Sequence, residues 1–207
     1  MNFEQLCESR HSVRKYEPGV TISDRELAQI FSLVVQSPSS FNIQHWRFIV
    51  VRDQARKSAL KELSFYQSQV EDCAAVILVC GGLTAYQDAA RIYAEAPDDM
   101  REKYVPMIEG SYKDQPALQR DEVIRSGSMA AMSLMYAAKH HGWDTGPMIG
   151  FDAEKVSDYL ALKDTTVPVM MVVLGKALGG EQPARAYRRP IEEVVKLENE
   201  QGDSLTA

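Results

Sequence analysis

Cysteine is scarce in this chain of 207 residues: there are three, Cys7, Cys73 and Cys80, an odd number with no C-x-x-C spacing. That argues against a disulfide framework and favours a reducing, cytoplasmic home. Long apolar runs are also missing. The longest, AAVILVC and VPVMMVVLG, are too short to cross a bilayer, and the start MNFEQLCESRHSVRKY has charges where a signal peptide needs an apolar stretch. No basic excess exists either. The formal net charge is −6, which argues against a nucleic-acid partner, so the few places where cations cluster become informative. Neither the G-x-G-x-x-G dinucleotide fingerprint nor a phosphate-binding P-loop occurs, and His140 and His141 are adjacent rather than spaced as metal ligands. No metal is expected. There is no Ser-His-Asp set and no cysteine placed as a nucleophile.

What remains is an ordinary globular composition, 45% apolar and 25% charged, long enough for one sizeable core. No repeat or linker divides it, so one domain over 1–207 is expected. Ser23 and Glu26 form a capping box for a helix over 21–37, and Leu27, Ile30, Phe31 and Val34 supply its apolar face. RFIVV (47–51) reads as a strand, and Asp53 caps a helix over 54–63. AAVILVCG (74–81) and VPVMMVVLG (167–175) read as strands covered on both faces. The polar stretch 83–114 predicts helical pieces broken around Pro97 and Pro106, either a cover over a site or a surface excursion. The longest helix spans 115–142, with Pro116 in its first turn and Gly142 past its end. WDTGPMIGFD (143–152) reads as a Gly/Pro-rich turn before a short helix over 153–160. The charged tail has too little apolar surface to fold alone. Strands separated by helices around a long central helix predict an α+β or three-layer domain.

Four clusters carry chemistry. Arg10-His11-Ser12-Val13-Arg14-Lys15-Tyr16 offers two planar guanidinium forks and a hydroxyl, suited to a phosphate or else a solvated basic face. Ser37-Pro38-Ser39-Ser40-Phe41-Asn42-Ile43-Gln44-His45-Trp46 supplies hydroxyls, amides and aromatics between a helix and a strand, either for a polar ring or as a turn with Trp46 as a core anchor. Gly146-Pro147-Met148-Ile149-Gly150-Phe151-Asp152 either lets backbone approach a flat ligand closely or is an ordinary helix–strand turn. Arg185-Ala186-Tyr187-Arg188-Arg189-Pro190 repeats the arginine signal near the other end, for a phosphate or as a solvated charge run.

In this order, RHSVRKY, SPSSFNIQHW, GPMIGFD, VPVMMVVLGKA and RRP make the sequence similar to the nitroreductase family over nearly its whole length. Within it the chain resembles the short bacterial NAD(P)H oxidoreductases with QHW where many members have QPW. The resemblance implies a three-layer α+β domain whose mainly antiparallel sheet is flanked by helices. It also implies a homodimer holding FMN at two interface sites, with 190–207 as an arm embracing the partner. By position, Arg10 and Ser12 would hold the phosphate, with Arg188 and Arg189 completing that site, and His11 the ribityl chain. Arg14 would lie near flavin N1 and the C2 carbonyl. Pro38, Ser39, Ser40 and Asn42 would approach the ring from the other subunit, and Pro147, Met148, Ile149 and Gly150 would face its plane and N5. Gln67 looks like the amide on the pyrimidine edge, while Tyr66 departs from the common Asn. Phe41 and Tyr112 would border the substrate slot. The implied activity is ping-pong reduction of nitroaromatics, quinones or similar small acceptors by NADH or NADPH. The flavin would do the chemistry and Arg14 would act electrostatically. A guanidinium about 4 Å from charge at N1 contributes on the order of 4 kcal/mol at an effective dielectric of ~20, before desolvation. A flavin-binding or redox-sensing module without catalysis, a reductive dehalogenase or flavin-fragmenting relative, and a binder of an unrelated anion remain alternatives.

Overall fold

The computed structural model describes residues 1–179 and 185–206. Helices α1 (Phe3–Ser9) and α2 (Asp24–Val34) come first. Ser23 caps α2 and Glu26 returns a bond to the Ser23 backbone, the reciprocal pair expected from the sequence. Strand β1 (Trp46–Val51) follows, then α3 (Gln54–Leu63) capped by Asp53, and α4 (Gln69–Asp72). After β2 (Ala75–Gly82) come α5 (Ala89–Ile92), α6 (Asp98–Tyr112) and the long α7 (Pro116–His140). Strand β3 (Asp144–Met148), α8 (Ala153–Tyr159), β4 (Thr166–Gly175) and α9 (Ile191–Val194) complete the order.

The sheet runs β1-β2-β4-β3, every neighbouring pair antiparallel. Side chains along β2 alternate between its two faces. Ala75, Ile77 and Val79 pack with α2 and α7, whereas Val76 and Leu78 pack on the face shared with α3 and α8. Both faces are therefore dry, which is why β2 reads as an unbroken apolar run. Each fully buried Ile or Leu there contributes about 1.5–3 kcal/mol. The small residues of α7 bring its backbone close to the sheet: a Cβ on Gly127 would meet Val169 Cγ2 at 2.7 Å.

Two expectations fail. The turn over 143–152 contains β3, an edge strand despite Gly146 and Pro147; its register with β4, Asp144 opposite Gly175 through Met148 opposite Met171, supplies pairing that local composition does not signal. Helix α6 also continues through Pro106, because its buried residues Ile108 and Tyr112 join a third core with Tyr86, and that packing offsets the lost backbone bond. Pro97 does mark its start. No helix among the described residues is long and apolar enough to cross a membrane. Ala207, the last residue of the expected arm, lies outside the described residues.

Candidate functional site

The N-terminal cluster is extended. Arg10 closes α1 with ψ of 118°, Ser12 bridges Thr145 in parallel, and the Val13 N–H donates to Thr145 O at 2.9 Å. Alternation then turns Val13 inward while Ser12 and Arg14 face solvent. Two glycines permit this close crossing. A Cβ at Gly146 would lie 2.4 Å from Val13 O, and one at Gly175 would lie 2.5 Å from Tyr16 Cδ1. The Tyr16 hydroxyl locks the crossing by donating to Val13 O (3.1 Å) and Val173 O (3.3 Å). Burial pushes this phenol far above its ordinary range, so it stays protonated. His11 is half-buried with Nδ1 2.9 Å from Ser9 O, a partner that requires the proton on Nδ1. Among the described residues, the guanidinium groups of Arg10 and Arg14 form no ion pair.

At the end of β3 Pro147 and Met148 are half-buried; just past it Ile149 is 78% exposed and Gly150 half-buried. Gln67 meets this segment: its Nε2 donates to Gly150 O at 2.8 Å and Ser64 O at 3.1 Å, and its Oε1 accepts from Gln69. Its amide thus fixes the Gly150 turn. Phe65 and Tyr66 stand exposed beside it with φ of 54° and 58°, a left-handed pair that only the finished loop explains.

The C-terminal segment reaches the same region through a residue outside the expected set. Arg185 Nη2 donates to the carbonyls of Cys7 (3.0 Å), Glu8 (2.5 Å) and Arg10 (3.0 Å), a cation on the open end of α1. Arg188 instead bonds the carbonyls of Ala186 and Tyr187, and Arg189 pairs with Glu193 at 3.3 Å. The cluster was expected to meet a phosphate or solvent; a grip on the end of α1 by Arg185 was not expected.

The loop before β1 lies elsewhere. Ser39 Oγ accepts from the Gln44 N–H at 2.9 Å, a short 3-10 turn covers Ser40–Asn42, and the Tyr112 hydroxyl donates to Ser40 Oγ at 2.9 Å. Pro38 and Asn42 are exposed, while Ser39, Ser40 and Phe41 are half-buried. Tyr112 is 3% exposed and stacks on Tyr86, with ring centroids 5.8 Å apart. His45 is buried with Nδ1 3.3 Å from Ser126 Oγ, and burial holds its imidazole below the ordinary value. Among the described residues no group of three His, Cys, Asp or Glu is placed to hold a metal ion.

Topology separates this loop from the arginine segment. β1 and β3 are opposite edges of the sheet, three strand spacings or roughly 14 Å apart. Register adds to the gap. Trp46 aligns through Gly81 with Val167, whereas Thr145 aligns with Leu174. The seven residue steps from Val167 to Leu174 (174 − 167) span roughly 23 Å along the strand. The two halves of the expected site occupy diagonal corners of one chain.

The chain matches the Nitroreductase family over residues 7–176. Three relatives, each named as "putative", align along nearly all of it. The NAD(P)H nitroreductase MhqN of Bacillus subtilis is 38% identical over 204 residues, 94% of this chain and 98% of that protein. A nitroreductase in complex with FMN from Exiguobacterium sibiricum is 33% identical, with a TM-score of 0.88 over 95% of this chain and 97% of that one. An NAD(P)H:FMN oxidoreductase of Staphylococcus epidermidis is 31% identical, with a TM-score of 0.88 over 94% and 95%.

Proposed function

The chain belongs to the nitroreductase family, and on that premise we propose that it is a homodimeric FMN oxidoreductase, reducing nitroaromatics, quinones or related electron-poor acceptors with NADH or NADPH. The observation that carries the reading is the diagonal separation of Arg10, Ser12 and Arg14 from the loop at 38–42. One small ligand touching both must lie between two chains.

The donor set fits FMN. Arg10, Ser12 and Arg14 occur at alternate positions of an extended segment and so share one side, two guanidinium groups flanking a hydroxyl. Arg10 and Ser12 would take the phosphate, with Arg188 and Arg189 joining on closure of the arm, and His11 the ribityl chain. Arg14 carries a permanent charge suited to the pyrimidine edge. Gln67, whose amide donates to Gly150 O, would meet the pyrimidine edge, and the backbone of Ile149 and Gly150 would face the ring. Pro38, Ser39, Ser40 and Asn42 would come from the partner, and Phe41 would border the slot. Bound FMN would supply the hydride chemistry, accepting from the nicotinamide and donating to the acceptor in turn, which gives ping-pong kinetics.

The arm is the remaining element. Ile191, Val194, Leu197 and Leu205 are all more than 40% exposed on it. Apolar surface of that kind suits burial on the second subunit.

The deciding experiment is the anaerobic visible spectrum of the purified protein, with its size by gel filtration. A yellow dimer that bleaches on adding NADH or NADPH and turns over repeatedly with a quinone is expected. Bleaching without turnover would favour a passive flavin module, and a colourless monomer indifferent to FMN would refute the reading.

A further inference from the structure

The loop that precedes β1 is strained. Phe41, Asn42 and Gln44 have φ of 49°, 54° and 54°, the left-handed region, with no glycine among them. Side chains hold that conformation only where their surroundings over-determine it. Part of the restraint is internal: the N–H groups of Asn42 and Ile43 donate to Ser39 O and Ser40 O at 3.1 and 3.0 Å. Two further bonds reach the loop from the 83–112 excursion, both from tyrosines. The Tyr93 hydroxyl donates to Phe41 O at 3.2 Å, and the Tyr112 hydroxyl donates to Ser40 Oγ at 2.9 Å.

Those tyrosines are themselves fixed. Tyr112 lies between Tyr86, stacked at 5.8 Å and 18°, and His45 at 6.0 Å, at the end of α6. Tyr93 stacks on Tyr104 at 5.6 Å, and Tyr104 faces Phe41 at 6.5 Å. Ile43, Ala89 and Ile108 fill the space between them as a separate core. The excursion is thus built around the loop.

We propose that Tyr112, seconded by Tyr93, is a positioning residue of the flavin site, and that the 83–112 excursion acts as a buttress setting the loop at 38–44. This deepens the reading given above, because it takes that loop as the one offered to the flavin.

The test compares full-length wild type with Tyr112→Phe, Tyr93→Phe, Ser40→Ala and the Tyr112→Phe/Ser40→Ala pair. Two quantities are read on flavin-free protein: the FMN dissociation constant, by quenching of flavin fluorescence, and amide hydrogen exchange. Losing one neutral hydrogen bond should weaken FMN binding about five-fold in Tyr112→Phe. Exchange at Ile43 and Gln44 should quicken by a similar factor while β2 is unchanged. Tyr93→Phe should act in the same direction, and the pair should bind no more weakly than Ser40→Ala alone. Unchanged affinity and exchange in Tyr112→Phe would overturn the proposal. So would losses that multiply in the pair, or exchange that rises throughout the protein. If wild type itself takes up no FMN, the flavin reading fails, and the exchange data alone then decide whether Tyr112 positions the loop.

Discussion

Replacing Gly146 with alanine tests how the arginine segment is seated. The new Cβ would stand 2.4 Å from Val13 O, 3.1 Å from Val173 Cγ2 and 3.2 Å from the Tyr16 hydroxyl. Ordinary contact begins at 3.4 Å, so the Val13 carbonyl must withdraw by about 1 Å (3.4 − 2.4). That shift stretches the 2.9 Å bond from Val13 N to Thr145 O and the 3.1 Å bond from Tyr16 to Val13 O beyond useful length. Two bonds at about 1 kcal/mol each, with roughly 1–3 kcal/mol of overpacking, give a destabilisation of about 3–5 kcal/mol. A domain of this kind has ~5–15 kcal/mol in total, so the effect is large. Urea unfolding of flavin-free protein at fixed subunit concentration measures it. The control is Gly110→Ala in the last turn of α6, where a Cβ meets nothing within 4 Å. There alanine should stabilise by about 0.5–1 kcal/mol. Should Gly146→Ala unfold at the wild-type midpoint, the close crossing of the N-terminal segment over β3 is wrong.

Arg14→Ala should slow flavin reduction by NADH or NADPH at least ten-fold, ~1.4 kcal/mol, and leave the dimer intact; stopped-flow bleaching and gel filtration check this, and unchanged reduction counts against the electrostatic role. Burial pushes the thiols of Cys73 and Cys80 up to about 12 and about 11, so alkylation of native protein near pH 8 should reach half-buried Cys7 first. Mass spectrometry finding Cys73 modified as fast as Cys7 refutes it. His45 is held below the ordinary imidazole value chiefly by burial; nearby Glu122 works against that shift and Arg47 reinforces it. The unfolded chain therefore binds this proton more readily, so the contribution is complete above roughly pH 6.5 and declines as pH falls below it. The urea midpoint should drop less between about pH 7.5 and 5.5 in His45→Gln than in wild type; equal drops refute the assignment.

What the sequence made legible was local. Ser23 and Asp53 announce the starts of α2 and α3 because a cap and its helix lie within one turn. The unbroken apolar run of β2 announces a strand covered on both sides. β3 was hidden, since Thr145-Gly146-Pro147 has strand geometry only by pairing with β4 and by receiving Ser12 along its outer edge. The helix through Pro106 was hidden for the same reason: its stabilising partners, Tyr86 and Ile43, are distant in the chain. Residue types marked Arg10–Arg14 as a candidate, while its extended path beside Thr145 was not legible. That Arg185 grips the end of α1 depends on how the chain returns, which no spacing encodes.

Under the proposed two-chain pocket, the placement of its halves on opposite edges of the sheet bears on genetics as well as chemistry. A subunit crippled at Arg10 still offers an intact loop, and one crippled at Ser40 still offers intact arginines. Mixed together, two inactive variants of this sort should assemble hybrids in which one of the two pockets is wholly undamaged and the other carries both lesions. Activity would reappear from a pair of dead parents, approaching half that of an unmutated dimer in each hybrid.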